Sequence, residues 1–134
     1  MSKKSETKSN SISLLAKDIH KRNIEKGFCD RPVNIGELLM LVVSELSEAL
    51  EADRDSKYSK ISDKDKKILS NLNDSDFIER FNAEIKDTFE DEIADAIIRL
   101  LGMSERLDID IEWYVLQKMK YNKFRPTQHG GKAY

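Results

Sequence analysis

Apolar residues recur every three to four positions along most of this chain, and polar runs separate the stretches where they do. Ile12, Leu15, Ala16 and Ile19, followed by Asn23 or Ile24, predict a first helix from about Asn10 to Lys26, with Gly27 as its stop. Phe28 to Val33 reads as a loop containing Arg31-Pro32. Asn34 with Glu37 three residues on reads as a capping box, opening a second helix that continues to about Asp53. Arg54 to Ser75 is rich in Asp, Ser, Lys and Asn and reads as a long connection with a short helix near Lys64–Leu72. Connections of that length are often functional or mobile. Helical spacing resumes with Phe77, Ile78, Phe81, Ile85 and Phe89, and runs through Ile93, Ala96, Ile97, Leu100 and Leu101 to about Arg106, with room for a break between Asp76 and Asp87. Leu107 to Asp110 forms a turn. Asp110 caps a last helix from Ile111 to about Phe124, which Pro126 helps to end. Residues 1–9 form a flexible N-terminus and residues 127–134 an irregular tail. No strand pattern and no tandem repeat is present. The expectation is an all-α fold, with a single domain over residues 10–126 built as a helical bundle of long antiparallel helices.

Composition agrees with helices. Of 134 residues, 36% are charged and 7% aromatic, with five Gly and two Pro, so breakers are few. The net charge of −2 gives no basic field for nucleic acid. No apolar run approaches a membrane span, and the polar start lacks the apolar core of a signal peptide. The single cysteine, Cys29, excludes an intrachain disulfide and points to a reducing, cytoplasmic setting. It reads as a half-buried small residue rather than a catalytic thiol, because no partner histidine is evident nearby in sequence.

The chemistry lies in the acids. With 25 of them, the chain contains seven acidic pairs at i,i+3, against about five for random placement, so spacing alone proves little. Glu48/Glu51, Asp76/Glu79, Glu84/Asp87, Asp87/Glu90 and Glu105/Asp108 read mostly as solvated faces. Glu45/Glu48 and Glu92/Asp95 differ because aliphatic residues bracket them. Glu45 sits on the stripe of Leu38, Leu41, Val42 and Ala49. Residues three apart share a helix face, so each pair can point at one object. Acids on a core-facing stripe are costly unless paired or bound to a cation. Two readings stay open here: a metal site, or acids at the edge of the core paired with Arg99, Lys86 or Arg54.

Within the metal reading the donor set discriminates. A di-iron bundle needs Glu-x-x-His, but Lys17 and Pro126 stand three residues before His20 and His129. Zinc needs more Cys and His than this chain has. Carboxylates alone suit Mg²⁺ or Mn²⁺. The last helix carries Lys118, Asn122 and Arg125 at i, i+4 and i+7, with Lys132 in the Gly-containing tail. A cation row of this kind suits a metal–polyphosphate substrate, and equally a solvated basic face.

Taken together, these residues resemble the MazG-like nucleoside triphosphate pyrophosphohydrolases of the all-α NTP pyrophosphatase superfamily. That family carries E-x-x-E followed by E-x-x-D on adjacent helices. The matching segments are Glu45-Leu46-Ser47-Glu48 and Glu92-Ile93-Ala94-Asp95. Arg106-Leu107-Asp108-Ile109-Asp110-Ile111 is similar to the family's following turn, and Lys118-Met119-Lys120-Tyr121-Asn122-Lys123-Phe124-Arg125-Pro126 to its K-M-x-x-N-x-x-R-P ending. The resemblance covers residues 34–53 and 84–126. The connection from Arg54 to Ser75 is longer and more polar than in compact members, and the tail after Pro126 is an addition.

The resemblance implies hydrolysis between the α and β phosphates of a nucleoside triphosphate, giving a monophosphate and pyrophosphate. It implies Mg²⁺, with Mn²⁺ as a substitute, held by the catalytic acids Glu45, Glu48, Glu92 and Asp95. Lys118, Asn122, Arg125 and Lys132 would bind phosphates. His20 and Asn23 would meet the base, with Phe28 and Trp113 as further candidates that serve core packing equally well. The family is dimeric or tetrameric, and the all-round apolar second helix is itself expected to be covered by self-association. The alternative from another class is a non-catalytic helical module that binds nucleotide or a protein partner.

Overall fold

The computed structural model describes residues 11–126, and those residues form an all-α protein of six helices. They are α1 (Ile12–Glu25), α2 (Ile35–Arg54), α3 (Asp63–Leu69), α4 (Asp74–Glu84), α5 (Phe89–Arg106) and α6 (Ile111–Lys123). Side-chain caps set most of the starts. The Ser11, Asn34, Ser62, Asn73 and Asp110 side chains accept from the backbone N–H three residues on, at Leu14, Glu37, Asp65, Asp76 and Trp113. Gly27, at φ 78, takes the left-handed conformation that ends the α1 turn.

Between α2 and α5 the chain is more regular than its polarity implies. The short helix expected near Lys64–Leu72 is α3, α4 begins within the same stretch at Asp74, and the irregular pieces are residues 55–62 and 70–73. The first of these is tied down. The Phe89 N–H donates to the Lys57 carbonyl at 2.8 Å, and the Ser59 N–H donates to Glu90 Oε2 at 2.7 Å. Tyr58 packs on Phe89 with ring centroids 5.6 Å apart, and its hydroxyl donates to Asp53. Arg80 of α4 meets Glu84 at 3.0 Å and Asp65 of α3 at 3.7 Å. The helical pattern from Phe77 to Arg106 does break. Ile85 to Thr88 separate α4 from α5, and Asp87 lies at φ 63.

The described chain folds as two compact units: residues 33–100, and residues 11–32 with 101–126. In the first, Val42, Ala49, Ala52, Leu69 and Ala96 are buried. In the second, Ala16 and Leu101 are buried, and α1 packs on α6, where Ser13 Oγ donates to Glu112 Oε2 at 2.7 Å. Gly102 permits close packing there, since a Cβ at that position would meet Asn23 Nδ2 at 2.9 Å and Ile19 Cγ2 at 3.1 Å. Among the described residues no helix is long and apolar enough to cross a membrane. The flexible start and irregular tail expected from sequence lie outside the described residues.

Candidate metal centre

Within the unit of residues 33–100, α2 brings Glu45 and Glu48 to one face and α5 brings Glu92 and Asp95. The two helices run in opposite directions. Residues 57–59, just past α2, meet Phe89 and Glu90 at the start of α5, while Glu45 pairs with Arg99 further along it. Ala49, Ala52 and Ala96 are buried around these acids, and their small side chains allow a close approach. Carboxylate oxygens of Glu45, Glu48 and Glu92 all lie within 4.8 Å of one another. Asp95 is not part of that cluster, although Glu45 and Glu48 both act on its charge.

Burial and like charge dominate the electrostatics. Glu45 is 8% exposed and Glu92 6%. Burial, then a hydrogen bond and charge repulsion from Glu48, then Asp91 and Asp95, push the Glu92 carboxyl up to about 7. Asp95 is also raised, by burial first, then by Asp91, Glu45 and Glu48, with Arg99 opposing. Arg99 Nε donates to Glu45 Oε1 at 2.6 Å. Of the three cations weighed from sequence, Arg99 is therefore the one that reaches this acid, while Arg54 engages Glu51 at 3.8 Å. Glu92 Oε2 is buried without a hydrogen-bond partner.

These groups fit a hard divalent cation. The donors are all oxygen, one of them is buried without a donor, and in the metal-free protein a proton on Glu92 relieves the repulsion.

The proton on Glu92 carries a pH prediction. Its folded pKa is raised from 4.5 to about 7, so between those values the folded state binds more protons than the unfolded one. Stability therefore falls as pH rises through that window, and the contribution is whole below it. The melting temperature of the chelator-treated protein is expected to drop between about pH 5 and about pH 8, while the rise produced by Mg²⁺ grows over the same range. A melting temperature that climbs with pH through this window, with no pH-dependent effect of Mg²⁺, would remove Glu92 from the centre.

The other expected site residues lie in the second unit. Lys118, Asn122 and Arg125 are exposed, and Lys118 Nζ stands 4.9 Å from the Tyr121 ring centroid. Asn23 is the neighbour of Gly102 just described, and Phe28 and Trp113 are exposed. His20 Nδ1 lies 4.0 Å from Cys29 Sγ, so the turn at Gly27 supplies the neighbouring histidine that sequence distance hid. Lys132 lies outside the described residues. Sequence reasoning missed Asp91 and treated Asp87 as part of a solvated face. Their oxygens form a second group with Glu92 within 4.8 Å, and the signal available was their i,i+4 spacing at the start of α5.

Compared with protein-family models, with curated proteins and with solved structures, the chain has no match.

Proposed function

We propose that this chain is a Mg²⁺-dependent nucleoside triphosphate pyrophosphohydrolase of the MazG-like type. It would cleave between the α and β phosphates and release a nucleoside monophosphate and pyrophosphate. The observation that carries this reading is the convergence of Glu45, Glu48 and Glu92 oxygens within 4.8 Å beside a buried carboxylate oxygen that has no donor. Glu45, Glu48 and Glu92 would hold Mg²⁺, with Mn²⁺ as a substitute, and Asp95, which lies outside their cluster, would join them on the sequence resemblance. When bound, the cation neutralises phosphate oxygens and acidifies water. Arg99 fixes the orientation of Glu45 through its 2.6 Å contact. One of the glutamates orients or deprotonates the attacking water. Lys118, Asn122, Arg125 and Lys132 bind phosphates, and His20 and Asn23 contact the base, roles that rest on the sequence resemblance.

Pyrophosphate release across a panel of NTPs and dNTPs, with Mg²⁺ and with chelator, tests this directly. Release that requires Mg²⁺ supports the reading, and none from any nucleotide would end it. The alternative is a non-catalytic helical module for nucleotide or protein. One observation favours it: Arg99 already compensates Glu45, so that acid does not depend on a cation.

A separate prediction concerns phosphate grip. Lys118→Ala and Arg125→Ala are each expected to weaken substrate binding about 10-fold or more, the size of one charge-assisted hydrogen bond. Turnover slows as well, while Mg²⁺ affinity stays nearly constant. Unchanged kinetics in both variants would return this row to a solvated basic face.

A further inference from the structure

Three charged residues share one face of α5, with Glu92, Asp95 and Arg99 at i, i+3 and i+7. Arg99 Nε donates to Glu45 Oε1 of α2 at 2.6 Å, and its charge also reaches Asp95, where it opposes the neighbouring acids. The guanidinium is spent on this side only. Among the described residues Nη1 and Nη2 have no acceptor, and the Arg99 side chain is 40% exposed while that of Glu45 is 10%. An arginine that serves only to neutralise a carboxylate frequently does so through two parallel N–H bonds. Here a single-nitrogen contact leaves the N–H groups of Nη1 and Nη2 unused and open to solvent. The other ion-paired cations of residues 33–100 are engaged away from the centre, Arg54 with Glu51, Lys66 with Asp63 and Arg80 with Glu84.

The acids set a second constraint. Glu45, Glu48, Glu92 and Asp95 repel a polyphosphate, and a divalent cation offsets only part of their charge. A phosphate brought to them needs a positive donor beside the acids, and Arg99 is in place for it. We propose that Arg99 is a substrate-binding residue of this centre: Nε stays on Glu45 while Nη1 and Nη2 donate to phosphate oxygens of the nucleoside triphosphate. The inference rests on the pyrophosphohydrolase reading above. It adds a phosphate contact from the unit that carries the acids, independent of Lys118, Asn122 and Arg125. The planar guanidinium suits this double duty, because one fixed fork serves a carboxylate and a phosphate together.

The test is calorimetric binding of magnesium tripolyphosphate, a triphosphate chain without a base, to the full chain. Titration of Mn²⁺ alone, with the free ion counted by electron paramagnetic resonance, accompanies it. Arg99→Gln keeps a donor for Glu45 and removes the charge and the fork. Arg99→Lys keeps the charge and removes the fork. Arg99→Gln is expected to weaken tripolyphosphate binding at saturating Mg²⁺ by roughly 10- to 100-fold, the size of a charge-assisted hydrogen bond. Arg99→Lys is expected to fall between that variant and wild type. Affinity for Mn²⁺ alone is expected to hold or rise in Arg99→Gln, because a cation competing for Glu45 has gone. Circular dichroism verifies the helices, and if Arg99→Gln loses them Arg99→Lys carries the test by the same criteria. Wild-type tripolyphosphate affinity in the variant would overturn the contact and leave the metal centre standing. A loss matched by an equal loss of Mn²⁺ affinity would overturn it too, since Arg99 would then only support Glu45. A wild type that binds neither Mn²⁺ nor tripolyphosphate would overturn the pyrophosphohydrolase reading and this contact together.

Discussion

Glu48→Gln is expected to lower Mg²⁺-dependent pyrophosphate release by about 100-fold or more, because even groups one step removed from a metal cost 10- to 100-fold when changed. The side chain is exposed, so the amide fits without repacking, and the helix around it is held by the buried Val42, Ala49 and Ala52. What changes is charge. Glu48 is the principal neighbour raising the Glu92 carboxyl, by both a hydrogen bond and repulsion. A neutral amide there can donate to Glu92, so the Glu92 pKa falls back toward its ordinary range. The variant should therefore show two signatures at once: weak Mg²⁺ affinity with little turnover, and a metal-free melting temperature that varies less between about pH 5 and about pH 8. Wild-type turnover with an unaltered Mg²⁺ requirement would exclude Glu48 from the mechanism. A flattened stability profile with full activity would leave Glu48 an electrostatic neighbour of Glu92 and nothing more.

Light scattering at micromolar concentration is expected to report a homodimer or a homotetramer rather than a monomer. The reason lies in α2. It is 20 residues long, about 30 Å, and only Val42, Glu45, Ala49 and Ala52 are buried along it. Leu39, Met40, Val43, Leu46 and Leu50 are exposed, Met40 at 61%. Ile97, Ile98 and Leu100 of α5 are exposed as well, and so are Leu116, Met119 and Phe124 on or beside α6. Apolar surface left in water costs roughly 25 cal/mol per Å² relative to burial, and a stable interface covers about 800 Å² on each partner. Exposed aliphatic residues at this density exceed what a monomer ordinarily leaves in water. Met40→Glu with Leu46→Glu places charge on that surface and is expected to dissociate the assembly and reduce activity with it. A wild-type protein that is folded, active and monomeric at that concentration refutes the account.

The all-α class and the bounds of α1, α2 and α6, to within a residue or two, could be read from the sequence because their signals are local. A cap such as Asn34 or Asp110 works over three residues, and apolar spacing of three to four works over two turns, so both survive without knowledge of the fold. The same locality identified Glu45 as an acid on a buried stripe, and it is buried in α2. Between Arg54 and Ser75 the short helix expected near Lys64–Leu72 is α3, whereas α4 begins at Asp74, before the apolar spacing that starts at Phe77. The short helices α3 and α4 are capped by Ser62 and Asn73 and carry acids in their first turns, so they need little apolar content to form.

Tertiary structure alone decided which charges meet. Glu45 and Arg99 are 54 positions apart, and nothing local distinguishes Arg99 from Lys86 or Arg54 as its partner. Antiparallel pairing of α2 with the first part of α5 makes that choice. It also carries Glu92 into the cluster with Glu45 and Glu48 while leaving Asp95 beside it. The Cys29–His20 approach and the second acidic group at Asp87 and Asp91 depend in the same way on how turns at Gly27 and Asp87, both at positive φ, redirect the chain. Sequence by itself determined the helices and the acids they carry, because propensity, capping and periodicity act within a few residues. Only the packing of one helix on another determined burial, and burial is what raises Glu92 and leaves its oxygen without a donor.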